Sequence, residues 1–517
     1  MIRVSMGPAG LARARLRCSN CLLAMSILVR HALGAIAPAL LSVLVLASFA
    51  GSAARADVGV ILNESLDTSV ARITGSGHSA VYLSRVCPAS PVKLRLCRLG
   101  EMGSVISNYT TLGEDQPFEW NVVPLSVYLY GVEDPESRPI FGLPKIKRAL
   151  EEEYRKKYLA DYCASQSCRT SEKAEWREMV AATLSRSLYI FVVDTSVDQD
   201  LAFIKEFNSS PNVNHFNGVS RNCATFTRRI VDFYFPHAAH ADYFNDFGMT
   251  SPKAIARSFT HFALHHSELN LRVFHFAQVP GTIKRSTDAR SGTEQLFRSK
   301  KLLAPIVWFV PYEPPAAAGA YLLTGRFNPE REAERYPATL EAASGGNADA
   351  ATWQADPTET DDSAAEQRAE IVGSRDEWKQ YRIDFDAVLD EAICEGIVPG
   401  RDYFGRFAKQ LDARGTPVFD RRGALWLEIM EGGQTHRVGV SANTVLSPGS
   451  DSKLAYTLLL AYADRMLTSP KHRRETMADF RDDWQLLEGA RTRMWATFAS
   501  VATPAHDRQP MPISAKP

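Results

Sequence analysis

A cysteine at the predicted start of a helix is the residue best placed to do chemistry. Cys223 begins the segment CATFTRRIVDFYF, in which Phe226, Ile230 and Phe233 recur at helical spacing and predict one apolar face. In the first turn of a helix, free backbone N–H groups and the helix dipole stabilise a thiolate and lower its pKa. The same N–H groups can hold a developing oxyanion. The pattern therefore predicts a nucleophilic thiol, and a buried structural thiol is the alternative.

A thiol nucleophile needs a base, and His78 is the candidate. It lies in GSGHSAVYL, residues 75–83, where glycines precede a predicted strand and let another segment approach closely. An imidazole at the start of a strand can face a cleft and take the proton of a thiol. A histidine that merely begins a strand is the alternative interpretation.

A third residue would orient the imidazole, and the hairpin register decides which one. If a hairpin turns at residues 88–91, Glu101 lies opposite His78, where a carboxylate would hold the ring. A disulfide between Cys87 and Cys97 would favour a different register. In that register the nearer polar residues are Ser104, Ser107 and Asn108.

Together these motifs resemble a known group of enzymes. GSGHSAVYL followed much later by RNCATFTRRIVD is similar to the circularly permuted papain-like (NlpC-type) superfamily, and most of all to its Lnb-type periplasmic domain. The lecithin:retinol acyltransferase group has the same order of motifs. The resemblance covers roughly residues 60–280 and implies a nucleophile at Cys223, a base at His78 and a substrate-binding or oxyanion role for Asn222. The insertion of about 145 residues between the motifs and the unmatched third residue depart from the family pattern.

The first 56 residues predict export. They contain six arginines, no acid, an apolar run from Ala32 to Ala50, and small residues that end in Ala54-Arg55-Ala56. This pattern is typical of a signal peptide cleaved after Ala56, with Met25 as an alternative initiator. An uncleaved membrane anchor is the other interpretation, because the apolar run can just span a bilayer. Either way, the rest of the chain is predicted to be periplasmic, or anchored to the inner membrane and facing the periplasm.

Export changes how the cysteines are interpreted. In an oxidising compartment, cysteines that are close in sequence tend to pair. We therefore predict disulfides between Cys163 and Cys168 and between Cys87 and Cys97. Cys223 and Cys394 have no local mate, and a thiol left over in an exported protein is either buried or kept reduced because it reacts.

The fold class predicted for the chain is α+β, with two bodies after the signal. Residues 57–340 are expected to form the permuted papain-like domain, an antiparallel sheet with packed helices and an extension. Residues 341–372 are rich in acids, Ala, Gly and Ser, and predict a flexible linker. Residues 373–502 predict a mainly helical domain that includes a hairpin turning at Gly432-Gly433, and residues 503–517 a disordered tail.

Composition and motifs exclude several partners. Lys plus Arg equals Asp plus Glu at 59 each, so no basic excess points to nucleic acid. The chain has no glycine-rich phosphate loop, and no cofactor is expected. His261 and His265 have metal-ligand spacing, but the run between them lacks the Glu of an HExxH site, so no metal is expected.

The expected function is acyl transfer in the bacterial cell envelope. A Cys–His site would form an acyl-thioester from lipid or lipoprotein acyl groups, with association at a membrane surface. A peptidoglycan amidase or endopeptidase with the same site is one alternative. A non-enzymatic binding or structural protein on the same scaffold is another.

Overall fold

The computed structural model divides the chain into two units, Met1–Arg55 and Ala56–Pro517. The first unit contributes only Arg55 to the description. The residues that the structure describes are 55–66, 77–108, 118–162, 175–213, 221–242, 245–246, 249–298, 319, 321, 326–338, 364–468 and 477–502. Among them, no helix is long and apolar enough to cross a bilayer.

Several predictions concern residues outside this description. They are the export signal, most of the acidic segment 341–372, the C-terminal tail and the Cys163–Cys168 disulfide.

A six-stranded antiparallel sheet forms the centre of the N-terminal part, with the order β6-β5-β2-β1-β7-β8. β3 and β4 form a separate two-stranded ribbon. The eight strands are β1 (Arg55–Asn63), β2 (His78–Leu83), β3 (Val86–Ser90), β4 (Lys93–Leu96), β5 (Ser104–Ser107), β6 (Asn121–Pro124), β7 (Leu188–Ser196) and β8 (Arg272–Phe276).

Helices cover the sheet and build the C-terminal part. In the N-terminal part they are α1 (Leu125–Tyr130), α2 (Pro144–Tyr158), α3 (Val197–Ser209), α4 (Cys223–Tyr234), α5 (Pro252–His265), α6 (Gly292–Arg298) and α7 (Pro329–Arg335). In the C-terminal part they are α8 (Ala364–Cys394), α9 (Arg401–Lys409), α10 (Ser452–Thr468) and α11 (Met477–Ala502). Short 3₁₀ helices lie at Pro135–Ser137, Glu175–Met179, Ala182–Leu184, Ser267–Leu269 and Leu411–Ala413. The α+β prediction is therefore confirmed.

Residues 121–131 are rich in Val, Leu and Tyr and predict a strand, but this prediction is wrong in its second half. β6 ends at Pro124, and the next residues form α1, which is capped at its C-terminal end by Gly131 with a φ of 76°. A short apolar run does not distinguish a buried strand from a buried helix, because both faces are apolar. Similarly, the sequence predicts a helix from about Glu172 to Ser185, and the structure instead has two 3₁₀ helices, Glu175–Met179 and Ala182–Leu184.

Each face of the six-stranded sheet packs against a different set of helices. On the first face, Ala80 and Tyr82 of β2 join a core that continues into the C-terminal helices. On the second face, Val81 of β2 packs in a core with Phe226 and Ile230 of α4. Because alternate residues of a strand point to opposite faces, the first two residues of β2 belong to different faces.

The C-terminal part contains a three-stranded antiparallel sheet, β9 (Thr416–Phe419), β10 (Leu425–Glu431) and β11 (Gln434–Gly439). The predicted hairpin is confirmed, with Glu431 opposite Gln434 and Gly432-Gly433 between them. This part packs on the first face. Phe141 stacks on Tyr462 of α10 at 4.5 Å between ring centroids, and Arg285 pairs with Asp483 of α11 at 2.7 Å, both fully buried.

Candidate functional site

Backbone geometry fixes the start of β2, where His78 lies. His78 is opposite Asn63, the last residue of β1. Gly77 has a φ of 70°, and a Cβ there would lie 2.2 Å from the carbonyl oxygen of Asn63. Only glycine accepts both the left-handed conformation and this close approach. The glycine before the histidine therefore lets β1 and β2 meet at the candidate site.

Cys223 is the first residue of α4, as predicted. The Asn222 side chain caps the helix by accepting a hydrogen bond from the Thr225 N–H at 2.9 Å. The N–H groups of Cys223, Ala224 and Ser79 and the Ser79 hydroxyl lie near enough to the Cys223 sulfur to act on its pKa. Because the Ser79 N–H follows His78 directly, the structure brings Cys223 to the start of β2.

A contact with Ser79 shows on which face of the sheet the Cys223 sulfur lies. Thr227, one turn after Cys223, donates a hydrogen bond to the Ser79 hydroxyl at 3.1 Å. This contact lies on the second face of the sheet, whereas the His78 side chain lies on the first. The thiol and the imidazole therefore approach the start of β2 from its two sides.

The expected lowering of the Cys223 pKa is wrong in direction. Burial raises the pKa of the thiol, and this outweighs the hydrogen bonds from Ser79 and the helix N–H groups, which lower it. Loss of hydration disfavours the charged thiolate more than the helix start favours it. In the folded protein the neutral thiol is favoured.

His78 is buried and held by a hydrogen bond from the neighbouring strand. Its Nε2 lies 2.8 Å from the hydroxyl oxygen of Ser107, the last residue of β5. Burial lowers the pKa of His78 well below its ordinary value, and the nearby positive charge of Arg186 lowers it further. His78 is therefore neutral at pH 7, and its surroundings disfavour the protonated imidazole.

Buried polar side chains form a row across four strands at this end of the sheet, on its first face. Asn63 opposes His78, His78 contacts Ser107, and Ser107 opposes Asn121 at the start of β6. All four are almost completely buried. The Tyr128 hydroxyl of α1 joins the row through hydrogen bonds of 2.8 and 3.0 Å to the Asn63 carboxamide.

Glu101 does not lie beside His78 in the structure. β2 pairs with β5 in a register that sets Val81 opposite Ile106, so the expected opposition of His78 and Glu101 is wrong. The Glu101 carboxylate instead forms a two-pronged ion pair with Arg95, at 2.7 Å to each oxygen, which lowers the Glu101 pKa to about 2.

The physical reason for the shifted register is the disulfide. Cys87 and Cys97 are bonded, as predicted, and close the β3–β4 ribbon. The turn at residues 88–91 belongs to this ribbon. β2 therefore pairs with β5, a strand later in the chain. Of the three residues that this alternative brought nearer, Ser107 contacts His78.

The Asn222 carboxamide is engaged on both sides. Its oxygen caps α4, and its nitrogen donates to the Thr250 carbonyl at 3.0 Å. These contacts fix the first turn of α4, and with it the Cys223 sulfur. The geometry of the described residues therefore supports a positioning role for Asn222 beside Cys223.

One group of three metal-ligand side chains converges among the described residues, with ligand atoms within 4.8 Å of one another. It consists of Cys87, Cys97 and Glu101. The two sulfurs are bonded to each other and Glu101 is paired with Arg95, so this group does not fit a metal ion. His261 and His265 lie with ring centroids 4.3 Å apart on exposed positions of α5.

A small apolar pocket lies far from Cys223 in sequence, among helices α8, α10 and α11. Phe385, Leu459, Leu460 and Trp484 line it, with Glu488 and Arg491 among its walls.

Four residues of the site were not expected from the sequence, namely Asn63, Asn121, Tyr128 and Arg186. Two of them carry a signal, since Asn63 ends the apolar run VGVIL and Asn121 begins the run VVPL. A polar residue that bounds such an apolar run marks the end of a strand, where polar side chains of neighbouring strands can meet. Tyr128 and Arg186 carry no such signal.

The comparisons with known proteins identify no relative. No family model matches the chain, and neither a curated protein nor a solved structure is significantly similar to it.

Proposed function

We propose that the protein is an exported, thiol-dependent acyl-transfer enzyme of the cell envelope, with a permuted papain-like site. Cys223 is the nucleophile, His78 the base and Ser107 the residue that orients the imidazole. The acyl group would come from a lipid, a lipoprotein or a peptidoglycan peptide. The observation that carries the proposal is the 3.1 Å hydrogen bond from Thr227 of α4 to Ser79, the residue after His78, because it brings the start of α4 to the start of β2.

The reaction starts from two neutral groups, because burial favours the thiol of Cys223 and the neutral imidazole of His78. Because the two side chains lie on opposite faces of the sheet, the proton passes from Cys223 to His78 around the first residue of β2 as the sulfur bonds to the acyl carbon. The N–H groups of Cys223 and Ala224 stabilise the oxyanion. Ser107 contacts Nε2 at 2.8 Å and so fixes the orientation of the imidazole. The bond to the leaving group then breaks, and the leaving group takes the proton from His78. Water or an amine finally accepts the acyl group from the thioester.

The test uses p-nitrophenyl acetate as the acyl donor and peptide mass spectrometry to locate the acetyl group. Because Cys394 is exposed and unpaired, Cys394→Ser is the background for every variant. We expect an acetyl group on Cys223 that hydroxylamine removes. His78→Ala should slow the acetylation about 10²-fold or more, and Ser107→Ala should slow it less. Acetylation of Cys223 at an equal rate with and without His78 would refute the proposal.

A matched control separates the site from general cysteine chemistry. His266 is a partly buried histidine that directly follows α5 and stacks on Phe262, and His266→Ala should leave the acetylation of Cys223 unchanged. A loss of rate in both histidine variants would indicate a folding defect.

A non-enzymatic envelope binding protein is the second candidate, and the raised pKa of Cys223 favours it. A structural thiol would be buried and unreactive, as this pKa direction implies. This alternative predicts that Cys223→Ala lowers the free energy of unfolding and that wild-type Cys223 remains unacetylated.

A further inference from the structure

Asn108 has a buried carboxamide oxygen with no hydrogen-bond partner among the described residues. The residue is 5% exposed and directly follows Ser107, the last residue of β5. A buried acceptor left without a donor costs about 1–3 kcal/mol. Such an atom at a candidate active site points to a ligand that supplies the missing donor.

The strand register places Asn108 on the same face as Cys223. β2 and β5 pair Val81 with Ile106, and Ile106 belongs to the core of the second face. Continuing this register by two residues sets Asn108 opposite Ser79, whose hydroxyl accepts a hydrogen bond from Thr227, one turn after Cys223. Neighbouring strands lie about 4.8 Å apart, so Asn108 lies beside the residue that the first turns of α4 contact.

We propose that Asn108 binds the N–H group of an amide in the acyl donor, so the substrate is a peptide. This inference rests on the proposed function and selects one of its substrate classes. An ester-linked acyl chain has no N–H to offer, and it would leave the Asn108 oxygen without a donor when bound. A peptide carries an N–H next to each acyl carbon and satisfies this oxygen while its carbonyl carbon faces the sulfur.

The test compares two reagents that alkylate Cys223 in the Cys394→Ser background. One is acetyl-Ala-Ala-chloromethyl ketone, which carries peptide N–H groups, and the other is 1-chloro-2-decanone, which carries none. In both, the sulfur displaces chloride from the methylene carbon and the thiol proton passes to His78. The measured quantity is the ratio of the two second-order rate constants. We expect the peptide reagent to be the faster, and Asn108→Leu to lower the ratio about tenfold.

Ser441→Ala is the control, since the Ser441 hydroxyl is also buried and has no partner among the described residues. Ser441 lies in the C-terminal part, directly after β11 and Val440, so its replacement should leave the ratio unchanged. An alkyl reagent at least as fast as the peptide reagent would overturn the inference. So would an equal ratio in Asn108→Leu and wild type, which is the result expected if this oxygen served only a buried water.

A second measurement needs no substitution. In the unaltered chain, N-acetylalanine methylamide should slow the alkylation of Cys223, and the corresponding methyl ester of acetyl-lactic acid, which lacks both N–H groups, should not. Equal protection by the two compounds contradicts the inference. Alkylation of Cys223 that does not respond to His78→Ala refutes the proposed function and this inference with it, whereas a response to His78 with an unchanged ratio refutes this inference alone.

Discussion

Helices α4 and α10 are held in the protein by different means. α10 has ten consecutive buried residues, Leu454–Ala463, and is fixed by apolar packing on nearly all sides. α4 buries one face only, and polar contacts hold both of its ends. Asn222 caps its start, and the Tyr234 hydroxyl at its end donates to Asp200 at 2.8 Å. A few polar contacts align the helix that carries the nucleophile, and single substitutions can break them. Buried apolar surface along most of its length holds α10 in place.

The largest change in the free energy of unfolding is expected in α10, which apolar packing alone holds in place. Leu458→Ala in α10 should lower the free energy of unfolding by about 2–5 kcal/mol, because it removes buried methyl groups and leaves a cavity. Chemical denaturation measures this loss. Leu264→Ala, at a half-exposed position of α5, is the matched control and should cost much less. If Leu458→Ala cost no more than the control, packing would not distinguish α10 from α4.

The second effect tests the polar contact at the end of α4. Burial raises the pKa of Asp200 to about 6, above its unfolded value, so the folded protein binds this proton more tightly. Its contribution to stability is therefore present at low pH and is lost as the pH rises from about 4 through 6. Asp200→Asn should stabilise the protein by up to about 3 kcal/mol at pH 7, with no gain at pH 4.

Denaturation of both proteins across pH 4–8 measures the Asp200 effect. A gain in stability that does not depend on pH would show that the charge of Asp200 is not its cause. The rate of Cys223 alkylation, measured in parallel, reports whether the end of α4 also influences its start.

The smallest change in stability is expected at the start of α4. Asn222→Ala removes the cap and the bond to Thr250, and should cost about 1 kcal/mol. Asn222→Asp keeps the capping oxygen and should recover part of this loss. A change in the pH profile of Cys223 alkylation together with this small loss would show that the cap aligns the nucleophile. An unchanged profile would contradict that role.

Local patterns in the sequence predicted one half of the site well. The Asn-Cys start of α4 and its buried residues Phe226 and Ile230 follow from a capping residue and helical spacing, which involve only near neighbours. Phe233 is the exception, since it is 38% exposed and Tyr234 is buried in its place. The drift of an apolar stripe around a helix accounts for such a one-residue difference.

The other half of the site depends on strand register, which the sequence specifies weakly. Glu101 and Ser107 were both acceptable partners of His78, and the choice between them depended on whether Cys87 and Cys97 bond. Arg186 could not be predicted, because it reaches His78 only after β7 has joined the sheet. Long-range pairing decides these contacts, and no local pattern encodes it.

The position of β1 in the middle of the sheet has a consequence for the growing chain. β2 follows β1 within 15 residues and can cover one side of it early, but the other side waits for β7, which begins at Leu188. Until then, β1 presents an open row of backbone donors and acceptors that any other extended chain can join. A truncated product that ends before Leu188 should therefore aggregate, and the period before β7 is synthesised is when the chain most needs a chaperone.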